Sequence, residues 1–331
     1  MEKKISVVIP NYNGSQLLKK NLGAVIQNCP GCQIIVVDDA STDDSVDFVQ
    51  NNYKPVKLIR LLKNRGFAFA ANAGVKNAGG DYILLLNSDV SPRANFLEPV
   101  LTHFKDNELF AVGLADYSHE GKFIIVRGRG GGAFKKGFLK HFMLPAKSGK
   151  TLWVSGGSGL FDKKKYLELG GFDTNFAPFY WEDIDLSFRA WQMGYMCMFE
   201  PKSKVDHFHK EGAIQKSHSE FFVKTISYKN QFIFVWKNIS DYLWLAQHLL
   251  WFPYHFAKAI ANLDFAFFVG FLWAVSKIPS LVVSSQLSSV RQVFDRESQT
   301  ESAQYDPEFT EGSSVKCQVS DREVLNKYAK P

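Results

Sequence analysis

Four short apolar runs, each closed by polar residues, limit what this chain can fold into more than any other feature. They are Ile5–Ile9, Gln33–Val37, Lys57–Leu61 and Tyr82–Leu86. The Ile5–Ile9 run, ended by Pro10, is β-branched and apolar at successive positions, as a strand buried on both faces must be. Segments of helical spacing lie between the runs. Leu17, Leu18, Leu22, Val25 and Ile26 make a stripe across Gln16–Gln27, and Ser41-Thr42-Asp43-Asp44 offers N-cap chemistry to a helix through Val49. Arg65–Asn77 is Ala-rich and helical. This alternation predicts an α/β chain, a Rossmann-like and mostly parallel sheet with helices on both faces. Ligands of such sheets bind beyond the carboxyl ends of the strands. Pro10-Asn11-Tyr12-Asn13, Asp38-Asp39 and Asn87-Ser88-Asp89 all stand at such ends, which predicts one shared crevice.

The rest of the chain changes in texture. Residues 115–150, with Gly128, Gly130, Gly131, Gly132, Lys135, Lys136, Lys140 and Lys147, read as a mobile basic loop region over the crevice or as a solvated insertion. Past residue 220, Phe221–Ile239 is an aromatic helix and Tyr242–Ala257 a second one broken at Pro253. Leu263–Val283 is nearly continuous apolar sequence, interrupted by Asp264, Lys277 and Pro279. Its length approaches that of a membrane span, but the interruptions favour helices lying in the membrane interface. From Gln292 onward the chain is polar and is expected to be disordered. The expected division is 1–215 as an α/β domain, 216–291 as an aromatic, membrane-associated helical region and 292–331 as a tail. The net charge of +6 fits an anionic ligand or membrane surface. It is too small, with no accompanying motif, for nucleic acid. Cys29-Pro30-Gly31-Cys32 has C-x-x-C spacing, but Cys197 and Cys317 are isolated, so it reads as a loop before a strand. Met1-Glu2-Lys3-Lys4 runs straight into an apolar stretch too short for a signal peptide, so this part of the chain is expected to stay in the cytoplasm.

Several of the polar residues suggest chemistry. Asp38 or Asp39 suits a base N–H or ribose hydroxyls, although an acid pair also complements a helix N-terminus. Asp89, with Asn87 two residues before it, offers hard oxygen ligands for Mg²⁺ or Mn²⁺ bridging a diphosphate; such a tripeptide after a strand is also a common turn. In Trp181-Glu182-Asp183-Ile184-Asp185-Leu186-Ser187-Phe188-Arg189, three acids crowd the start of a helix. They complement its dipole, or one of them, beside Phe179, Tyr180 and Trp181, is a base with a raised pKa facing a sugar on an aromatic platform. Gly156-Gly157-Ser158-Gly159 allows close backbone approach to a ligand. Asp206-His207-Phe208-His209 offers imidazoles to a metal or diphosphate.

Taken together, these segments resemble the inverting glycosyltransferase family 2, of the GT-A fold. The matching pieces are Val7-Val8-Ile9-Pro10-Asn11-Tyr12-Asn13-Gly14, Val36-Val37-Asp38-Asp39-Ala40-Ser41-Thr42-Asp43, Asn64-Arg65-Gly66-Phe67-Ala68 with Asn72, and Leu85-Leu86-Asn87-Ser88-Asp89. Gly170-Gly171-Phe172-Asp173 and Trp181-Glu182-Asp183-Ile184-Asp185-Leu186 complete the set. The resemblance implies that Pro10, Tyr12, Asp38 and Asp39 hold the nucleoside, with Asn64, Arg65, Gly66, Asn72 and Asn87 lining the donor pocket. It further implies Asp183 as the base, Asp89 and His207 at a divalent cation (Mg²⁺ or Mn²⁺), and Gly156, Gly157, Trp181 and Glu182 at the acceptor. Asn87 departs from the family pattern, where many members have Asp. Bacterial rhamnosyltransferase-like members that build cell-surface polysaccharides are the nearest in pattern. By that likeness the donor is a dTDP- or UDP-sugar and the acceptor a saccharide, lipid-linked, reached from the inner face of the plasma membrane. The C-terminal helices, with Gly270 and Pro279 before Arg291, would supply the contact with the membrane surface. Two other readings are a non-catalytic, membrane-attached nucleotide-sugar-binding protein and a nucleotidyltransferase. The Glu182-Asp183 pair stands against the first, and Asn11-Tyr12-Asn13-Gly14 in place of a basic phosphate loop against the second.

Overall fold

A computed structural model describes residues 4–208, 218–281 and 319–328. Strands β1 (Ile5–Asn11), β2 (Gln33–Asp38), β3 (Lys57–Arg60) and β4 (Tyr82–Leu86) fall where the apolar runs predict. They pair in parallel, with β1 between β2 and β4 and β3 beyond β2. Helices α1 (Ser15–Asn28), α2 (Ser45–Asn52) and α3 (Phe67–Lys76) are the connections. One carboxylate starts two of them: Asp43 accepts from Ser15 N at 2.9 Å and from Ser45 N at 3.0 Å. Helix α3 lies hard against β1, because a Cβ at Gly74 would sit 2.3 Å from Val8 Cγ1. The Cys29–Cys32 segment is the turn between α1 and β2, closed by Cys32 N donating to Cys29 O at 3.2 Å, with both thiols free.

The sheet continues through β5 (Val90–Pro92), α4 (Leu97–Leu101), β6 (Leu109–Glu120), β7 (Phe123–Arg127), β8 (Gly130–Lys135), β9 (Phe138–Met143), β10 (Gly149–Lys150) and β11 (Ser158–Asp162). Helices α5 (Lys163–Glu168) and α6 (Glu182–Gln192) follow, then β12 (Met196–His207). The ten-stranded sheet runs β10-β12-β6-β11-β4-β1-β2-β3, with β5 on β12 and β7 on β6. Strand β11 is antiparallel between β4 and β6, and β12 is parallel to β6. The β6–β12 register slips between Glu200 and Lys204, which leaves Pro201, Lys202 and Ser203 opposite no β6 residue.

Residues 115–150 are therefore not a loop region. Phe123–Arg127 pairs antiparallel with β6, and β8 and β9 form a separate hairpin. The glycines mark close packing: a Cβ at Gly130 would meet the Trp153 ring at 2.1 Å, and one at Gly132 would meet Leu152 at 2.6 Å. The hairpin turns at Lys136 and Gly137, both at positive φ, and docks on the C-terminal helices. Phe134 stacks on Trp244, and the Gly137 carbonyl accepts from His248 Nδ1 at 2.6 Å.

Those helices are α7 (Glu220–Asn238), α8 (Tyr242–Leu250), α9 (Phe252–Ala261), α10 (Phe265–Ser276) and α11 (Asp321–Tyr328). The expected break near Pro253 falls at Trp251, between α8 and α9. Pro253 itself occupies the first turn of α9, where its missing N–H has no intrahelical partner to lose. Helix α10 crosses α7 at Gly270, where a Cβ would be 2.7 Å from Thr225 O. Among the described residues, no helix is long and apolar enough to cross a membrane. Residues 282–318, including most of the expected tail, lie outside the described residues. Residues 321–328 correct the expectation of disorder to the end of the chain, because Val324 and Leu325 are buried in the core. The Asp321 carboxylate also accepts from the backbone N–H groups of Ser240 and Asp241 at 2.6 and 2.8 Å.

Helix α7 is joined to the sheet region through a carboxylate. Asp185, on α6 and without solvent exposure, accepts from Arg189 Nη2 at 2.7 Å, Lys237 Nζ at 2.8 Å and Asn238 Nδ2 at 2.8 Å. Burial alone would raise its pKa, but the Arg189 and Lys237 charges outweigh that and hold it below the usual carboxylate range. Its contribution to stability is thus present above the unfolded pKa and is lost as pH falls through the lower folded value. Asp185→Ala leaves Arg189 to the Leu169 and Gly171 carbonyls and Lys237 to Asp173, and is predicted to destabilise the protein by about 3–5 kcal/mol. Urea unfolding at pH 7 would show this as a lower midpoint, and the gap from wild type should narrow in acid.

Candidate active site

A cleft of about 970 Å³ opens at the carboxyl ends of β1 and β4, a volume that suits a medium-sized organic ligand. Pro10, Tyr12, Asp39, Asn64, Gly66, Asn87 and Asp89 line it from the β1–β4 half, and Gly156, Gly157, Glu182, Asp183 and His207 from the other. Strands β1 and β4 end side by side because they are paired neighbours. Asp39 fixes the next loop by accepting from Arg65 N at 3.0 Å and Gly66 N at 2.7 Å. Burial raises its pKa against the pull of these two N–H groups. The wall carrying Gly157 touches Asn87: a Cβ there would be 2.5 Å from Asn87 Nδ2, and Asn87 N donates to Gly157 O at 2.9 Å.

Four of the expected residues do not line the cleft. Asp38 accepts from Asn11 Nδ2 at 3.2 Å and Ser41 N at 3.0 Å and shapes the strand end. Arg65 lays its guanidinium 3.9 Å from the centre of the Phe69 ring. Asn72 is taken up by Phe172, donating to its carbonyl at 2.7 Å and accepting from its N–H at 3.0 Å, and it also accepts from Tyr166 OH. Trp181 is buried against Phe234 and His141, so Phe179 and Tyr180 form the aromatic wall in its place.

Asp89 and His207 meet at the cleft floor. His207 Nε2 is 3.2 Å from Asp89 Oδ1, while its Nδ1 is 2.6 Å from Asp116 Oδ2. Ser118 Oγ donates to the other Asp116 oxygen at 2.7 Å, so β6 orients a histidine that β12 carries. Burial opposes protonation of the imidazole, but the two carboxylates outweigh it and hold its pKa up at about 10. A positive charge between Asp89 and Asp116 is therefore strongly favoured. His209 lies outside the described residues.

Asp183 and Glu182 begin α6. Burial raises Asp183 to about 6 against the backbone N–H of Ile184, which donates to it at 2.8 Å. Burial and the adjacent Asp183 raise Glu182 to about 8. Glu182 Oε2 is buried with no hydrogen-bond partner among the described residues. Burial and mutual repulsion therefore make the pair hold a proton more tightly than free carboxyls do, while leaving one carboxylate to accept another. The turn before them holds Tyr180 and Trp181 at φ +72° and +75°, a left-handed geometry that costs about 1–3 kcal/mol per residue. Helix α7 secures it from below. Asn230 Nδ2 donates to the carbonyls of Phe176, Phe179 and Tyr180 at 2.8–3.0 Å, and Lys229 Nζ to that of Ala177 at 2.5 Å.

Sequence reasoning missed Asp116, Glu120, Arg127 and His218. Glu120 and Arg127 form an ion pair on β6 and β7 at the cleft rim, and His218 packs on Phe179 at the mouth. A carboxylate at position 116, directly after the apolar Leu109–Ala115 run, was the available signal for the first of these.

The family profile described as Glycosyl transferase family 2 matches residues 6–169. The chain is 27% identical over 229 residues to N-acetylgalactosaminyltransferase 6 of Drosophila melanogaster, covering 62% of this chain and 34% of that protein. It is 27% identical over 216 residues to the pre-mycofactocin glycosyltransferase of Mycobacterium tuberculosis, covering 63% and 43%. The chain thus spans roughly a third to two fifths of the length of these curated relatives. Among solved structures, that of GalNAc-T7 with UDP, GalNAc and Mn²⁺ superposes with a TM-score of 0.60 at 19% identity, covering 85% of this chain and 57% of that one. Residues 6–169 thus match the glycosyl transferase family 2 profile, and the chain has the GT-A fold.

Proposed function

We propose that the chain is an inverting glycosyltransferase that moves a sugar from a nucleotide-sugar to an acceptor hydroxyl, with Asp183 as general base. The observation that carries this reading is a raised carboxylate, Asp183, in the same cleft as the Asp89–His207 pair. The acceptor O–H proton passes to Asp183 as the new bond forms at the anomeric carbon. The anomeric C–O bond breaks, and its electrons leave with the diphosphate. Glu182, holding its own proton, donates a hydrogen bond to the acceptor and keeps a second negative charge away from the base.

The Asp89 oxygen and His207 Nε2 fit a divalent cation. The positive charge that Asp89 and Asp116 favour sits on His207 as a proton; a divalent cation would displace the proton at Nε2, and both atoms are then ligand types that Mg²⁺ or Mn²⁺ accepts. No cluster of three or more acidic, His or Cys ligands stands ready among the described residues. Donor diphosphate oxygens and water would therefore complete the shell around these two ligands. Such an ion would neutralise charge developing on the leaving diphosphate. For the donor, the sequence resemblance favours rhamnose or a similar sugar on dTDP or UDP; the acceptor is a lipid-linked saccharide in cell-surface polysaccharide synthesis. Helices α8–α10 leave Leu250, Leu263, Phe265 and Leu272 more than half exposed. That favours an enzyme lying on the inner face of the plasma membrane.

Asp183→Asn is expected to lower turnover about 10²–10⁴-fold while UDP-sugar affinity stays within about twofold. Unchanged turnover would remove Asp183 from the role of base; lost donor binding would point to a structural role. Because Asp183 acts ionised, wild-type kcat/KM should rise with pH through about 6. A flat profile across that range would contradict the assignment. Mn²⁺ titrated into protein with UDP, followed by electron paramagnetic resonance, tests the cation site. Asp116→Ala should weaken binding about 10–100-fold, and Asp89→Ala more. Equal Mn²⁺ affinity in all three proteins would exclude this site.

A further inference from the structure

The β8–β9 hairpin and α9 bring three lysines to one exposed surface, Lys136 at the hairpin turn, Lys140 on β9 and Lys258 in the last turn of α9. Lys136 Nζ is 3.3 Å from Tyr254 OH and 5.2 Å from the Trp251 ring centre. The Lys258 charge disfavours that of Lys140, and Lys136, Lys140 and Lys258 all disfavour protonation of His255, the α9 residue that meets the hairpin turn. None of the three has a carboxylate within ion-pair distance among the described residues. No Asp or Glu occurs at all between Asp241 and Asp264. The arrangement is held in place, since His255 Nε2 donates to Lys136 O at 2.8 Å and the Gly137 turn abuts the α8 backbone. Immediately before Trp251 in the chain, Leu249 and Leu250 are 64% and 80% exposed.

Like charges gathered without counter-ions, beside exposed leucines and a Trp–Tyr pair, match the boundary between headgroups and acyl chains. There aliphatic side chains enter the bilayer, indole and phenol sit at headgroup level, and ammonium groups meet phosphates. We propose that Lys136, Lys140 and Lys258, with Leu249 and Leu250, form a docking site for an anionic phospholipid surface. A folded acidic protein would offer the charge but no phase for two adjacent leucines to enter. The assignment rests on the reading of α8–α10 as interfacial helices and adds to it a lipid preference and the β8–β9 hairpin as a second membrane contact.

The test is sedimentation of the full chain with vesicles of phosphatidylcholine alone and with phosphatidylglycerol added. Wild type should partition more strongly onto the anionic vesicles. Each Lys→Gln change at the three positions should weaken that partitioning about fivefold, and the triple variant about a hundredfold. The triple variant should keep wild-type weak binding to phosphatidylcholine, whereas Leu249→Ser with Leu250→Ser should lose binding to both. Thermal melting and UDP affinity of all variants should match wild type. Equal binding of wild type to both vesicles, or an unaltered triple variant, would overturn the lysine site while leaving interfacial helices standing. No binding to either vesicle would overturn both. Competition by millimolar inorganic phosphate would assign the lysines to a soluble anion instead.

Discussion

The buried carboxylate of Asp185 is the interaction on which the remaining architecture depends. It is placed by α6, the helix whose first residues are Glu182 and Asp183, and is satisfied by Lys237 and Asn238 at the end of α7. A charge with no solvent exposure is tolerable only when its partners are fixed, so the two helices must dock before either end is settled. The same helix α7 supplies Asn230 and Lys229 beneath the left-handed turn at Tyr180 and Trp181. The aromatic C-terminal helices are therefore part of the support of the cleft, and they share one apolar core with α3, α6 and the sheet.

The two sides of the cleft are built differently. On the β1–β4 side, polar residues arrive at the ends of adjacent buried strands, and backbone hydrogen bonds hold them there. On the α6 side, the carboxylates sit at a strained turn that depends on side chains far away in sequence. Strand ends place ligand groups with little adjustment, whereas the turn aims two acids whose proton affinities burial has already raised.

This contrast also explains what could be read from the residues alone. Strands β1 to β4 were legible because fully buried strands need uninterrupted β-branched runs, and Asp39, Asp89 and Asp183 because strand-end and helix-start acids recur at set places. Asp38, Arg65, Asn72 and Trp181 belong to the same motifs but serve the loops that shape the cleft. A motif records which residues occur together and not which way each side chain turns. Residues 115–150 were misread because glycine and lysine are as compatible with a tightly packed hairpin as with a loop. Only the Trp153 and Leu152 side chains opposite Gly130 and Gly132 decide between them. Asp116 was marked only by its place after the apolar Leu109–Ala115 run, because its partner, His207, is brought beside it by the β6–β12 pairing.

The unpaired residues 201–203 of β12 set the frame in which His207 is counted. Side chains alternate faces along a strand, so an odd insertion relative to β6 reverses which residues beyond it face Asp89 and Asp116. This segment behaves like a reading frame. A single residue gained or lost there would leave the strand and its hydrogen bonds nearly intact and turn the histidine to the opposite face.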